Sequence, residues 1–154
     1  MSINIEWQWL SFEQFTVDLL YEVLKLRQDV FIIEQACIYP ELDDNDQPSL
    51  HLLGKRDSDG AVVAYLRLLP EGISYEGYCS IGRVLMAQDA RGLGLGRKMM
   101  ALTIEKATQA FPGIPIKLSG QEYLKAFYES LGFRVVAGPY DEDGIPHLAM
   151  VRDA

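Results

Sequence analysis

Apolar residues recur at helical spacing in three stretches of the chain, and this periodicity predicts three helical regions. The predicted ranges are Ser11 to about Ile32 (one or two helices), Arg97–Ala110 and Gln121–Leu131. The first range opens on Ser11-Phe12-Glu13-Gln14, which has the residue order of a capping box. Pro112-Gly113 ends the second region, and Gly132 is typical of a C-terminal cap for the third.

Shorter apolar runs that lie between turn residues predict strands. Their ranges are Leu50–Lys55, Ala61–Leu69, Ser80–Met86, Ile114–Ser119, Phe133–Ala137 and Ile145–Arg152. The turn Asp57-Ser58-Asp59-Gly60 joins the first two strands as a hairpin. The order of elements predicts a mixed α/β sheet that is antiparallel at first and has a parallel crossover after the third strand. Because no linker is long enough to divide the chain, we expect one domain over residues 1–154.

Three glycines alternate with other residues in Arg91-Gly92-Leu93-Gly94-Leu95-Gly96, between a predicted strand and a predicted helix. A glycine inside a helix or strand costs about 0.5–1 kcal/mol relative to alanine, so bare backbone is needed here. Free N–H groups at a helix N-terminus bind anions, which predicts a phosphate site. A P-loop is excluded because Arg97-Lys98 follows the last glycine, and the Gly-x-Gly-x-Gly spacing is not that of a dinucleotide-binding turn.

Charge is distributed unevenly along this acidic chain. The formal net charge is −8, yet the glycine segment and the helix start contain Arg91, Arg97 and Lys98 and no acid. Such a basic island attracts an anionic ligand, whereas the acidic balance argues against a nucleic-acid partner. No apolar run approaches the ~20 residues that span a bilayer, and we expect no membrane association. Two cysteines and the absence of a signal-peptide pattern indicate a cytoplasmic protein.

Two motifs, Arg91-x-x-Gly94-x-Gly96 and Tyr128 followed by Gly132-Phe133, resemble signatures of the GNAT superfamily of N-acetyltransferases. Arg91, Gly94 and Gly96 have the Arg-x-x-Gly-x-Gly spacing of its acyl-CoA signature. Downstream, Tyr128 is followed at four and five residues by Gly132-Phe133, which is similar to the second signature. The resemblance covers nearly the whole chain. It implies the GNAT acyl-CoA N-acyltransferase fold, a central mixed, mostly antiparallel sheet flanked by helices.

A narrower resemblance, to the ElaA-like branch of this superfamily, rests on three further segments. They are Arg27-Gln28-Asp29-Val30-Phe31-Ile32-Ile33-Glu34-Gln35, Ile81-Gly82-Arg83-Val84 and Asp143-Gly144-Ile145-Pro146-His147. One departure is Gln121-Glu122-Tyr123, where that branch has Gln-Ala-His. The loss of an imidazole near the site weakens any transfer of substrate preference from the branch to this chain.

The resemblance implies acetyl-CoA as cosubstrate, with no metal. The implied cofactor-binding residues are Val84, Leu85, Met86, Arg91, Gly92, Leu93, Gly94, Leu95, Gly96, Arg97, Gln121 and Tyr128. Backbone N–H groups near Val84-Leu85 would stabilise the oxyanion, and Tyr128 would protonate the departing thiolate. The alternative for Tyr128 is a core aromatic residue, because Leu124 and Leu131 share its helical spacing. Gln121 is equally a solvated first-turn residue.

An acceptor amine must lose a proton before it attacks, and Glu34, His51 and His147 are the candidate bases. We favour His147 or Glu34, and a base that acts through ordered water is also compatible with the sequence. Arg83, His51 and Glu34 are candidates for substrate binding, and a structural Arg83–Glu34 ion pair is the alternative. Acidic clusters at residues 41–46 and 141–143 would guide a cationic amine or simply be solvated.

The expected function is direct transfer of an acetyl group from acetyl-CoA to a primary amine of a small molecule or peptide. Direct transfer is favoured over an acyl-enzyme because neither Cys37 nor Cys79 has a basic neighbour or a position at a helix start. One alternative is a non-catalytic module that binds acyl-CoA and regulates a partner. Another is acyl-homoserine lactone synthesis, which Arg27-x-x-Val30-Phe31 loosely resembles. The sequence is compatible with a homodimer.

Overall fold

The computed structural model describes residues 4–154, and its strands form one seven-stranded mixed sheet. The strands are β1 Ile5–Ser11, β2 Leu50–Arg56, β3 Val62–Leu69, β4 Cys79–Met86, β5 Ile116–Gln121, β6 Arg134–Glu142 and β7 Ile145–Arg152. Their order in the sheet is β1-β2-β3-β4-β5-β7-β6. The mixed sheet that the sequence predicts is therefore confirmed, including the parallel pairing of β4 with β5.

Within the described residues, three α-helices accompany the sheet: α1 Val17–Arg27, α2 Leu95–Ala110 and α3 Lys125–Ser130. A π-helical segment, Gln28–Glu34, continues α1, and three single 3₁₀ turns occur at Phe12–Gln14, Gln88–Ala90 and Glu122–Leu124. Within residues 4–154, no helix has the length and apolar character needed to cross a membrane.

The chain divides into two compact units, which are described separately below. Unit 1 comprises the residues up to Leu68 together with Arg83–Met99. Unit 2 comprises Leu69–Gly82 and Met100–Ala154. Strand β4 and helix α2 contribute residues to both units.

Unit 1 begins with a strand that the predicted element order lacks. In β1, the alternating residues Ile5, Trp7 and Trp9 are half-buried, whereas Glu6 and Gln8 are exposed. This alternation is typical of a strand with one covered face, so the signal was present in the sequence. β1 pairs antiparallel with β2, and the predicted β2–β3 hairpin is confirmed.

The first predicted helical region contains three different elements. Gln14 accepts a hydrogen bond from the Ser11 amide at 2.8 Å, as in a capping box, but it closes only a 3₁₀ turn. The α-helix starts later, where the Thr16 hydroxyl accepts from the Leu19 amide at 3.2 Å. Its apolar face packs in a core of unit 1 that also includes residues of the hairpin. Buried members of this core are Leu10, Val23, Val30, Leu53, Val62, Tyr65 and Leu85.

Unit 2 contains the C-terminal strands and the short helix α3. β5 lies between β4 and β7, and it pairs antiparallel with β7 from Ile116 to Gln121. The predicted helix Gln121–Leu131 is shorter in the structure, because Gln121 ends β5 and a 3₁₀ turn precedes α3. Gly132 has φ +93°, a left-handed conformation that agrees with its predicted role as a C-terminal cap. β6 runs beyond its predicted end at Ala137, to Glu142.

Candidate active site

Strand β4 continues through Arg83, although this residue has φ +53°. A left-handed conformation costs a residue with a side chain roughly 1–2 kcal/mol, and inside a strand it marks a bulge. The regular alternation of side-chain faces along a strand therefore does not extend through Arg83. Beyond the bulge, Leu85 is buried and Val84 and Met86 are half-buried. The Ala87 amide donates to the Val63 carbonyl at 2.7 Å, which holds the end of the strand against β3.

The guanidinium of Arg83 is bound by residues of the chain itself. It forms an ion pair with the Glu41 carboxylate, and its Nη2 lies 3.3 Å from an Asp43 oxygen. The same nitrogen donates to the Glu41 carbonyl at 3.1 Å, and the Tyr39 ring lies 5.5 Å from the guanidinium carbon. The prediction of an ion pair between Arg83 and Glu34 is therefore wrong. The acidic loop supplies the two carboxylates instead.

The glycine segment lies on the surface of unit 1, directly before α2. Gly92 and Gly94 have φ +77° and +76°, and a Cβ at either position would meet no atom within 4 Å. The backbone therefore requires glycine there, and the space beside it is open. α2 begins at Leu95, two residues before the predicted start, so Gly96 lies in its first turn. The first N–H groups of a helix have no intrahelical partner and attract anions.

Arg91 and Glu34 form an exposed, bidentate ion pair at the start of this segment. Arg91 Nη2 lies 3.0 Å from Glu34 Oε2, Nη1 contacts the other carboxylate oxygen, and Nε donates to the Met86 carbonyl at 3.0 Å. The hydrogen bond from Arg91 lowers the pKa of Glu34, against a smaller opposing effect of desolvation. A carboxylate that resists protonation is a weak general base, which makes Glu34 a poor candidate for that role.

An arginine–carboxylate network is buried in the interior of unit 1. Asp46 accepts from Arg27 at 2.7 Å and from Arg67 at 2.9 Å, and Arg67 also binds Asp43. Arg27 is 1% exposed and Arg67 3%, so both depend on these carboxylates for charge compensation. Sequence analysis does not predict this network. Arg67 lies in an apolar strand run, and Arg27, which is named above only as part of two motifs, lies in the apolar helical series Val23 to Val30.

His51 lies beside this network and is buried. Its Nδ1 is 2.6 Å from the Tyr65 hydroxyl, and its Nε2 is 2.9 Å from the Asp46 carbonyl. A neutral ring satisfies both contacts, with Nε2–H donating and Nδ1 accepting. Burial lowers the pKa of His51, which keeps the ring neutral. With both nitrogens occupied, His51 has the arrangement of a structural histidine.

Tyr128 lies in unit 2, where its ring packs against Gly120. A Cβ at Gly120 would approach the Tyr128 ring to 2.7 Å, so only glycine fits at this point of β5. The rings of Phe127 and Phe133 contact it edge-on, with centroids at 5.3 and 6.0 Å. Among residues 4–154, no group hydrogen-bonds the Tyr128 hydroxyl. Burial raises the pKa of Tyr128 to about 12, so the phenol remains protonated.

His147 belongs to a polar cluster on the other strands of unit 2. Its Nδ1 is 2.8 Å from the Ile145 carbonyl, and its Nε2 is 3.3 Å from a Glu142 oxygen. The carbonyl fixes the Nδ1–H tautomer, which leaves Nε2 as the proton acceptor beside a carboxylate. Gln121 pairs with His147 in the β5–β7 register.

The sequence-predicted residues thus fall into two groups. Unit 1 contains Arg83, Glu34, His51, Val84–Met86 and the segment Arg91–Arg97, and unit 2 contains Gln121, Tyr128 and His147. Among the residues that the structure describes, no cluster of three or more His, Cys, Asp or Glu side chains could hold a metal ion.

Comparison with known proteins agrees with this architecture. A family model described as "Acetyltransferase (GNAT) domain" matches residues 28–154. The chain is 39% identical over 151 residues to the protein ElaA of Escherichia coli, covering 97% of each chain. It is 40% identical over 149 residues to a UPF0039 protein of Synechocystis, covering 97% of this chain and 96% of the other.

Solved structures give the same result. An acyl-CoA N-acyltransferase of Pseudomonas aeruginosa superposes with a TM-score of 0.91 at 39% identity, covering 97% of this chain and 99% of that one. The crystal structure of Escherichia coli ElaA gives 0.90 at 38% identity, with 97% and 100% covered. A CoA-dependent acyl-homoserine lactone synthase, BjaI, gives 0.77 at 19% identity over 97% of this chain and 83% of that one, which indicates a common fold only.

Proposed function

The chain belongs to the ElaA-like branch of the GNAT acyltransferase family, and we propose that it transfers an acetyl group from acetyl-CoA to a primary amine. The observation that carries this proposal is the glycine segment of unit 1. Two left-handed glycines with open space beside them precede the N-terminus of α2, next to Arg91 and Arg97. This is an arrangement that suits a pyrophosphate.

In this proposal, the backbone N–H groups from Gly92 to Gly96 bind the pyrophosphate of coenzyme A, since the Arg91 amide already donates to the Gln88 carbonyl at 3.5 Å. The half-buried residues Val84 and Met86 support binding of the pantetheine arm along the end of β4, in the manner of an added strand. The bulge at Arg83 supports a further role for the N–H groups of Val84 and Leu85, which would stabilise the thioester oxyanion. Strain retained at one residue in a strand is typical of such a site.

Tyr128 is proposed as the general acid. Its hydroxyl is free of protein partners among residues 4–154, and its raised pKa keeps it protonated until a stronger base appears. The amine attacks the thioester carbonyl carbon, a C–N bond forms, and the C–S bond breaks. The thiolate then takes the phenol proton, CoA leaves as the thiol, and the proton that the nitrogen loses on becoming an amide restores the phenol.

We propose His147 rather than Glu34 or His51 as the base that takes the proton from the amine. Its Nε2 is the acceptor nitrogen, and Glu142 at 3.3 Å stabilises the imidazolium once the proton has arrived. Direct transfer is favoured because burial raises the pKa of the Cys79 thiol to about 11, and a thiol of that pKa is a poor nucleophile at neutral pH.

A matched pair of glycine variants tests the donor site. Gly94 and Gly113 have nearly the same φ, +76° and +79°, and neither has an atom within 4 Å of an added Cβ. Alanine therefore strains both positions to a similar degree, but only Gly94→Ala places a methyl group at the proposed pyrophosphate site. We expect Gly94→Ala to weaken binding of CoA by about tenfold, equivalent to ~1.4 kcal/mol, and Gly113→Ala to leave it unchanged.

Calorimetric titration with CoA, acetyl-CoA, NAD and ATP is the measurement. Wild-type protein should bind the two CoA species and neither of the others. Equal affinity of both glycine variants, or the absence of CoA binding, would overturn the proposed donor site. Binding of CoA without acetyl transfer to any amine would favour a regulatory acyl-CoA-binding module instead.

A further inference from the structure

One face of unit 2 contains a polar cluster that the proposed reaction uses only through His147. Lys117 and Ser119 share this face because they alternate along β5. In the strand register, Ser119 is opposite Ala149, and Ala149 is opposite Ala137. This row of small side chains forms a low strip across three strands. Larger polar residues border it, with His147 opposite Tyr140 in the next row.

A carboxylate lies at one end of this strip. Glu142 accepts from the Ser119 hydroxyl at 3.3 Å, and its Oε2 is 3.3 Å from His147 Nε2. The Ser119 hydroxyl also contacts the Tyr140 hydroxyl at 2.6 Å. The Glu142 side chain is 48% exposed, so its carboxylate can accept a hydrogen bond from a further donor. An ammonium group is such a donor.

An ammonium group lies at the other end. Lys117 Nζ is 4.8 Å from the centroid of the Tyr75 ring and 5.3 Å from that of Tyr78. Among residues 4–154, no carboxylate lies within ion-pair distance of this half-buried lysine. Two aromatic rings compensate a cation only in part, so a carboxylate from a ligand would complete the pair.

Tyr75 connects the two ends. The Lys117 ammonium lies over the Tyr75 ring. Burial raises the pKa of the Tyr75 hydroxyl, and the charges of Tyr140 and Glu142 raise that pKa further. Tyr75 therefore lies within electrostatic range of both charges. Lys117 and Ser119 are separated by about 7 Å along the strand, a distance that a compact molecule can bridge.

We propose that the acceptor is an α-amino acid, bound with its carboxylate at Lys117 and its ammonium at Glu142. A simple cationic amine fits less well, because Lys117 already occupies the two ring faces and repels a second cation. A simple carboxylic acid fits less well because Glu142 repels it. This inference rests on the proposed acetyl transfer, for which it names the substrate class.

The reaction then needs no additional reagent. The bound ammonium gives a proton to His147 Nε2, which lies beside the same Glu142 oxygen. The neutral amine forms the new C–N bond as the C–S bond of acetyl-CoA breaks. The thiolate takes the Tyr128 proton, and the second proton that the nitrogen loses on becoming an amide restores the phenol. The products are CoA thiol and an N-acetyl amino acid.

The test uses the full-length protein with acetyl-CoA and follows release of CoA thiol with a disulfide chromophore. The acceptors are the twenty standard amino acids, followed by the amide of each active one, which retains the amine but lacks the carboxylate. We expect at least one amino acid to stimulate CoA release and its amide to have a kcat/KM lower by about tenfold or more, since a charged hydrogen bond is lost.

Substitutions at Lys117 and Glu142 test separately the binding of the acceptor carboxylate and of its ammonium group. Lys117→Met should lower kcat/KM for the amino acid by about tenfold and should not lower it for the cationic amide, from which a repelling charge is removed. Lys117→Arg should retain most of the preference. Glu142→Gln should lower kcat/KM for both acceptors. Two matched controls accompany these variants. Lys55→Met alters a half-buried lysine of unit 1, and Asp143→Asn alters the exposed carboxylate next to Glu142.

Equal activity of acid and amide, or an equal loss for both in Lys117→Met, overturns the assignment of an amino acid. So does the failure of all twenty amino acids to stimulate CoA release from a protein that binds acetyl-CoA. Binding of acetyl-CoA is measured separately without acceptor, so failure of the proposed acetyl transfer is distinguishable from failure of this inference.

Discussion

At the level of single residues, Gly120 determines where the Tyr128 ring can lie. The 2.7 Å separation between the ring and an added Cβ means that any larger residue would displace the ring or the strand. Edge contacts from Phe127 and Phe133 hold the other sides of the ring. Within residues 4–154 no group hydrogen-bonds the hydroxyl, which leaves it available for the proposed role of general acid.

Tyr128→Phe tests this role without creating a cavity. We expect the variant to bind acetyl-CoA with wild-type affinity and to lose turnover by about 10²–10⁴-fold, because only the donated proton is removed. The measurements are kcat with the most active acceptor and the dissociation constant of acetyl-CoA. Tyr21→Phe, at a tyrosine of α1 that is 72% exposed, is the control and should keep full turnover. Unchanged turnover in Tyr128→Phe would remove this residue from the mechanism.

Among the elements, the acidic loop before β2 is fixed to unit 1 by arginines rather than exposed as a guide for substrate. Glu41, Asp43 and Asp46 each form an ion pair with an arginine of α1, β3 or β4. Buried ion pairs of this kind add little net stability, but the loss of one partner leaves a buried charge uncompensated. The network therefore determines the position of the loop.

Asp46→Asn should destabilise the protein by roughly 3–5 kcal/mol, since Arg27 and Arg67 would both lose a buried carboxylate. Urea denaturation, with the midpoint lowered and the m-value unchanged, measures this effect. Asp29→Asn removes the exposed carboxylate that pairs with Lys25 and is the matched control, for which little change is expected. A similar small effect of both substitutions would show that the network is not energetically important.

For the molecule as a whole, the network makes stability depend on pH in the acid range. Burial of Asp43 opposes its ionisation, but the hydrogen bond and charge of Arg67, with that of Arg83, outweigh this effect and lower its pKa from 3.8 to about 2. The unfolded chain therefore binds this proton at a higher pH than the folded chain. The contribution of Asp43 is complete above pH 4 and is lost as the pH falls toward 2.

Denaturation midpoints of wild type and Asp43→Asn, measured from pH 6 to pH 2, test this dependence. We expect the wild type to be the more stable at pH 6 and the difference to narrow steadily below pH 4, because the amide of the variant does not titrate in this range. A constant difference between the two proteins would contradict the lowered pKa of Asp43.

Residues close together in the chain were sufficient to identify most of the elements. Helical spacing predicted the helices, the Asp57–Gly60 turn predicted the hairpin, and the order of elements predicted the parallel crossover. The two signatures identified the family. The alternation of Ile5, Trp7 and Trp9 also indicates strand β1, which the sequence analysis did not predict. Local signals suffice here because hydrogen bonding and side-chain direction within one element depend on near neighbours.

The pairing of charges, by contrast, depends on the tertiary fold. Glu34 pairs with Arg91, 57 residues away, rather than with Arg83. His51 has both nitrogens bound in the core of unit 1, and Lys117 lies on tyrosine rings from a distant loop. Every arginine and every carboxylate has the same charge and similar reach, so sequence spacing does not select among them. The fold selects the partners, because ion pairs and hydrogen bonds require approach to within a few ångströms.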